Sequence, residues 1–440
     1  MNMNSTNKEP VWDAVVIGGG LAGLTASIYL ARAGRKVVLL EKSPQTGGRA
    51  ATKELGGARL NLGAHALYAS ALGILREVGV EPRGGSPKPG GPLVFKREGG
   101  ETAVPLWKLL VGSFLAWPEK TELIRFYAQI RKTETSALQG ISLQRYLEDR
   151  IRSPRVRNIA MALVRVSTYC DAPELASAGA AIDQLRHSSV LYVNGGWQTI
   201  ADRLRAQAQT AGVAIRCGAA AREISGADPE MTVTLKDGTR LQTRRVLSTA
   251  GPKETLALLD APLPAGEADA FSRLVPVYAA CLDLVVAGLP QPKTTFSLGA
   301  DRPWYFSNHS AAATFTDNPE HSVVHVMKYL PAGKDTDARQ DERELERFLD
   351  LIQPGWRKHV VQRRFLPHML VSNAVVAART GGYAGRPGPV VEGRPGLYVA
   401  GDWVGSEGML LNASLASAKE AAMRIIGDKE QNKEAMERGA

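Results

Sequence analysis

A chain of 440 residues, 44% of them hydrophobic, can bury two cores or one interleaved pair of domains, and this composition excludes a disordered or collagen-like protein. Lysine and arginine exceed aspartate and glutamate by 54 to 44, a net charge of +10, but the positive residues are dispersed and form no aromatic-studded basic stretch, which argues against nucleic acid as a partner. Cys170, Cys217 and Cys281 are odd in number, widely separated and outside any C-x-x-C pair, so a disulfide framework and a redox dithiol are excluded and a cytoplasmic location is the default.

Residues 1 to 10 are polar and lack an apolar h-region, so no secretory signal is expected. Ala14, Val15, Val16 and Ile17 are apolar without alternation, the pattern of a strand buried on both faces of a parallel sheet. Gly18, Gly20 and Gly23 follow as G-x-G-x-x-G: one glycine for the tight turn, one for close approach to a pyrophosphate, one for helix packing. Leu24, Ile28 and Ala31 share a face of the next helix, which Gly34 stops. The strand RKVVLLE then ends at Glu41, 18 positions after Gly23, where an acid should accept hydrogen bonds from an adenosine ribose while the helix N-terminus holds phosphates. Strand, helix, strand and acid in this order predict a dinucleotide site. Gly47, Gly48 and Arg49 add bare backbone and a forked guanidinium near the same phosphates.

Residues 81 to 100 read as a Pro/Gly loop entering the hairpin LVFKREGGETAVPL. The run PLWKLLVGSFLAW, 105 to 117, is far shorter than a membrane span and reads as a helix of the substrate domain or, alternatively, an interfacial helix. The pattern from Trp107 to Leu185 is mainly helical. Its densest basic stretch, 152 to 165, reads as a solvated helical face, with an anionic membrane surface as the alternative. VPVYAACLDLVVAGL and HSVVHVMKYL are strand-like. His321 and His325 share a face of the latter without a third ligand, so no metal is expected. The charged tail from Gly427 is expected to fray.

Near the C-terminus, residues 396 to 422 read as a strand ending at Gly401 and Asp402, a glycine-containing loop, and a helix with Leu411, Leu415, Ala418 and Ala422 on one face. With the two glycine turns at the other end of the chain, this resembles the two-dinucleotide-binding-domain flavoproteins: amine oxidases, protoporphyrinogen oxidases and, most closely, phytoene-desaturase-like oxidoreductases. NLGAHALY at 61 to 68, NGGWQTIADRLRAQAQTAGVAI at 194 to 215 and RRVLSTAGP at 244 to 252 are similar to further family segments. The resemblance implies an α/β fold: a Rossmann-like FAD-binding domain from residues 1–70, 191–262 and 391–440, interleaved with a substrate domain of mixed sheet and helices from 71–190 and 263–390. It implies FAD contacts from Leu21, Ala22, Lys42, Gly63, Ala64, Gly251 and Gly401. It further implies adenine beside Ala221, ribityl and pyrophosphate contacts from Asp402, and a flavin edge facing the amides of Gly408, Met409 and Leu410. No cysteine stands in the C-terminal motif to form a thioether, so the FAD is expected to be noncovalent.

The expected activity is dehydrogenation of a lipophilic, isoprenoid- or carotenoid-like molecule or of an amine, by hydride transfer to flavin, with dioxygen or a quinone as electron acceptor. Two alternatives stand beside it: a redox-neutral flavin-dependent isomerase or dehydroxylase, and a flavin-free prenyl-lipid carrier, against which Glu41, Arg49 and Asp402 speak. His65 is the expected catalytic side chain, because its hairpin should pass the flavin ring and imidazole exchanges a proton near neutral pH. Trp403 could stack near the ring or pack between strand and helix. Peripheral membrane contact would suit an apolar substrate.

Overall fold

A run of apolar residues with no polar alternation needs cover on both faces, and the computed structural model of the protein supplies it by placing Trp12–Ile17 inside a parallel sheet. The structure describes residues 10–63, 65–88 and 90–438, with side chains as far as Gly427. Val37–Glu41 and then Ala214–Cys217 lie parallel on one side of Trp12–Ile17, and Arg240–Ser248 lies parallel on the other. The far edge of Arg240–Ser248 is shared, first by the antiparallel pair Glu230–Leu235 and Ala221–Ala227, then by the parallel strand Leu397–Val399. One sheet thus joins residues near 12, 240 and 397.

Helices Leu21–Arg32, Gln198–Thr210 and Leu410–Arg438 cover one face of this sheet. Leu24, Ile28, Leu204 and Leu415 are fully buried between them, each stabilising by about 1.5–3 kcal/mol, while Ala26, Ala418 and Ala422 let the backbones approach. The last helix continues to Arg438, past the Gly427 at which fraying was expected; the tail is rich in Lys, Glu and Gln, which favour helix.

The second sheet runs, in order, Val360–Ser372, Val277–Ala287, His321–Tyr329, Trp304–Asn308, Phe296–Gly299, Pro92–Arg97 and Gly100–Pro105. The expected hairpin is its outermost pair. Leu345, Phe348, Leu349 and Ile352 of the helix Ala338–Ile352 pack on one face. The other face carries Trp117–Ile130, Leu143–Arg150, Pro154–Thr168 and Ala178–Arg186. Ser142, Ser153 and Ser177 open three of these helices by accepting from amides in their first turns. The fold is mixed α/β, and among the described residues no helix is long and apolar enough to cross a membrane.

Two expectations change here. Residues 105–117 do not form one helix: Leu106–Leu110 is helical, Gly112 and Ser113 break it, and Trp117 starts the next helix with Pro118 behind it. Within 152–165 the face is not wholly solvated, since Arg165 is buried and donates to the carbonyls of Ala300 and Arg302. A buried guanidinium satisfied by carbonyls gives no periodicity signal.

Candidate cofactor and substrate site

The first glycine turn is tight because nothing larger fits. A Cβ on Gly23 would lie 2.0 Å from the Gly18 carbonyl oxygen, and one on Gly18, at φ +105°, 2.5 Å from the Thr249 hydroxyl. Gly20 differs: nothing lies within 4 Å of where its Cβ would be, so the second glycine faces open space at the N-terminus of Leu21–Arg32. Leu21 and Ala22 turn their side chains into the core, while amides of a first helical turn have no intrahelical acceptor.

The second turn is fastened to the first. The Gly47 amide donates to the Gly19 carbonyl at 2.8 Å, and a Cβ on Gly48 would stand 3.4 Å from the Gly20 Cα. Glu41, 6% exposed, accepts from the Gly19 amide at 2.7 Å and from the Ser43 amide at 2.8 Å, one on each oxygen. Lys42 beside it is exposed. The amides of Gly218 and Ala219 donate to the carbonyls of Ser43 and Glu41, which brings the segment leading to Ala221 against the end of the Glu41 strand. Thr249 closes the first turn onto Ile17, and Gly251 caps Pro252–Ala257.

Arg49 and Asp402, both expected near the pyrophosphate, bind each other. The guanidinium donates to both carboxylate oxygens, at 2.7 and 2.9 Å, and Asn373 donates to the same oxygens through its backbone and side chain. Burial alone would raise the Asp402 carboxyl; Arg49 and Asn373 outweigh it and hold the group below the ordinary carboxylate range. Arg49 keeps 39% of its side chain exposed. Gly63 presses on it, since a Cβ there would lie 2.9 Å from the Arg49 carbonyl oxygen. Ala64 lies outside the described residues.

Gly401 is held through its amide and carbonyl by Ser417. At the start of the last helix Gly408 has φ +61°, and Leu410 has φ +55°, a left-handed backbone that costs a non-glycine residue roughly 1–2 kcal/mol. Met409 and Leu410 border a small enclosed cavity of about 20 Å³, lined also by Thr168, Cys170, Val277 and Val376. Its lining holds no carboxylate, lysine, arginine or histidine. A far larger cavity, about 980 Å³, opens elsewhere, between the hairpin 92–105 and the broken segment, beside Phe95, Lys108, Phe114 and Arg155.

His65 does not line the small cavity. Its side chain is 1% exposed, its ring lies 4.3 Å from that of His325, and neither ring nitrogen has a protein partner. Burial, then the neighbouring His325, push the imidazole well below its ordinary value, and its packing against the His325 ring turns it toward the second sheet rather than the small cavity. Residues 61–68 form no hairpin: they connect Ala58–Asn61, paired with Thr52–Leu55, to Leu67–Tyr68, paired with Val190–Val193, and periodicity carried no sign of that. Trp403 resolves to packing: fully buried, edge-on to Phe271, with its indole donating to the Ala250 carbonyl. Lys328 is held by Asp341 and Glu344 at 2.7 Å each. His321 and His325 part company, one partly exposed and one fully buried.

Sequence reasoning missed Asp283, His309 and Arg364, which with His325 and His65 form a buried polar cluster in the second sheet. The signal available was Asp283 itself, a carboxylate inside the apolar run AACLDLVV.

Comparison with known proteins follows the same lines. A subunit of the limonene dehydrogenase of Castellaniella defragrans is 45% identical over 75 residues, 16% of this chain and 13% of the relative. Carotenoid 3,4-desaturase of Haloarcula japonica is 53% identical over 51 residues, 12% of this chain and 10% of the relative. These curated matches therefore cover only about a tenth of each relative's length. The structure of putrescine oxidase bound to putrescine superposes with a TM-score of 0.73 over 95% of this chain and 99% of that one at 16% identity, a likeness of fold. The family model for flavin-containing amine oxidoreductases matches residues 21–426, and the chain belongs to that family.

Proposed function

We propose that the chain is an FAD-dependent oxidoreductase that dehydrogenates a small apolar molecule. The observation that carries this is the fastening of two glycine turns to one another, through the Gly47 amide and the Gly19 carbonyl, beside the open start of Leu21–Arg32 and the buried Glu41. The residues present fit FAD. Open space at Gly20 and the start of Leu21–Arg32 suit a pyrophosphate, and the Glu41 oxygens, each with a second acceptor position, suit ribose hydroxyls. Met409 and Leu410 present a helix N-terminus, which favours negative charge on a cofactor edge. Residues 401–411 contain no cysteine, which supports noncovalent binding.

FAD, when bound, supplies the hydride acceptor. What this chain's residues do is orient and exclude: Met409 and Leu410 would border the cofactor edge, and the apolar Val277 and Val376 packed beside them would keep water from it. A hydride leaves a substrate carbon and a proton follows from its neighbour, so no strong base is required. Dioxygen or a quinone is the final oxidant in this reading. The names of the relatives divide between hydrocarbons and amines, and the exposed apolar side chains of Trp107, Val111 and Trp117 favour the hydrocarbon class.

Such a substrate would arrive from a lipid surface. Trp107, Val111 and Trp117 are 61, 79 and 75% exposed around the break at Gly112, with Lys108 and Lys120 among them, a pattern suited to shallow insertion beside anionic headgroups. Protein should pellet with anionic vesicles and less with neutral ones, and Trp107→Ser with Val111→Ser should abolish pelleting at unchanged flavin content.

The experiment that tests the function is anaerobic reduction. Purified protein should be yellow, release its flavin on acid precipitation, and bleach with isoprenoid or other long apolar compounds. Rapid bleaching by small polar amines would favour the amine branch. A colourless protein that FAD cannot reconstitute would favour the carrier.

A further inference from the structure

Across the second sheet, register places four polar residues in one row. Arg364 stands opposite Asp283, Asp283 opposite His325, and His325 opposite Ser307. Buried polar groups of a purely structural row should satisfy one another, and each of these four residues finds a partner. Arg364 donates to Asp283 Oδ2, His325 Nδ1 meets Asp283 Oδ1, and the Ser307 hydroxyl meets Tyr192 at 2.8 Å. Five ring nitrogens in and beside the row do not. Both ring nitrogens of His65, both of His309 and Nε2 of His325 are buried with no partner in the protein, while the three rings lie 4.3 to 5.5 Å apart.

Beside these rings lies a thiol. Cys281 is two residues before Asp283 on the same strand, so both side chains leave the same face. Its Sγ stands 3.0 Å from Asp283 Oδ1, and His325 Nδ1 reaches the same oxygen at 2.5 Å. His65, Cys281, Asp283 and His325 each bring one ligand atom into a group no more than 4.8 Å across, and all four residues are buried.

We propose that these four residues hold one divalent metal ion of the zinc type. Tetrahedral ligand atoms at zinc bond lengths sit roughly 3.3 to 3.8 Å from one another, a spacing bracketed by the 2.5 to 4.8 Å seen here. A set of two imidazoles, one thiolate and one carboxylate selects zinc, cobalt or iron(II) over magnesium or calcium. Arg364 supplies the outer partner such a carboxylate needs: by holding Oδ2 it aims Oδ1 at the group. Binding exchanges the Cys281 thiol proton, released to solvent, for the metal–sulfur bond; no redox change is involved. Four protein ligands leave no open position, so the ion fastens rather than catalyses. It joins the connection carrying His65, which flanks Arg49, to the strands Val277–Ala287 and His321–Tyr329.

The test uses the full-length flavoprotein purified without a metal-affinity column. Elemental analysis after desalting should find about one zinc or iron per chain, and Cys281→Ser and His325→Gln should each lower it at least tenfold, while Cys217→Ser retains it. Wild-type protein stripped by a chelator should melt several degrees lower and recover on adding zinc ion alone, a readout that needs no variant and no substrate. Two results overturn the proposal: native protein that is metal-free and whose melting does not respond to micromolar zinc or cobalt, or bound metal that both variants keep.

Discussion

In the cofactor cradle Gly18, Gly20, Gly23, Gly47 and Gly48 work by leaving side chains out, whereas one cross-strand row of the substrate sheet, Arg364, Asp283, His325 and Ser307, works by putting polar side chains into a core. The cradle is specified over short distances: Gly18 to Glu41 is one strand, one helix and the next strand. The row is specified by sheet register, since its members come from strands at 277–287, 304–308, 321–329 and 360–372. Backbone sites can therefore be read from spacing, and side-chain sites of this kind only from pairing.

Substitutions can break each half separately. The largest effect is expected at Gly23→Leu: with even a Cβ at 2.0 Å from the Gly18 carbonyl, the helix cannot pack on its strand, and FAD binding should fall below detection, a loss of more than about 4 kcal/mol. Fluorescence titration of flavin-stripped protein checks it. Next comes Asp283→Ala, which takes the carboxylate from the half-buried Arg364 guanidinium, leaves it the Leu60 and Asn61 carbonyls, and should destabilise by about 3 kcal/mol in equilibrium urea unfolding. A loss below about 1 kcal/mol would mean that Arg364 finds another acceptor and the row is not a unit.

Glu41→Ala should be milder, weakening FAD binding by about 1–3 kcal/mol, because it removes the proposed ribose acceptor and the acceptor of the Gly19 and Ser43 amides. Unchanged FAD affinity would detach Glu41 from the cofactor. The smallest effect belongs to the Arg49–Asp402 pair, since Arg49 is partly exposed and screened. The folded Asp402 carboxyl lies below its unfolded value of about 3.9, so between the two the unfolded chain binds more protons. The pair's contribution is complete above the unfolded value and is lost as pH falls through the folded one. Acid-unfolding curves of wild type and Asp402→Asn should thus differ near pH 6 and converge only once the pH falls below the folded Asp402 value.

Legibility follows the same division. The strand before Gly18, the acid at Glu41 and the C-terminal motif at Gly401 and Asp402 were readable because each is a local run with one backbone purpose. The Arg49–Asp402 contact was not, because nothing in either motif says that the two close on each other. His65 was expected in a hairpin beside the flavin and lies instead in the connection from Ala58–Asn61 to Leu67–Tyr68, since a histidine's partners depend on which strands pass beneath it. The 105–117 run was read as one apolar piece; Gly112 and Ser113, which break it, are weak stops when judged by hydrophobicity alone.

The Arg49–Asp402 ion pair also has a consequence in time. Its partners are 353 positions apart, and Leu397–Val399, which completes the first sheet, comes just before Asp402. During synthesis, a chain not yet extended to residue 402 has both glycine turns but neither the carboxylate that neutralises Arg49 nor the helix start at Leu410. In the proposed reading, flavin loading therefore waits until the segment through Leu410 has been made, and a polypeptide cut before Asp402 should keep its N-terminal motif and stay colourless.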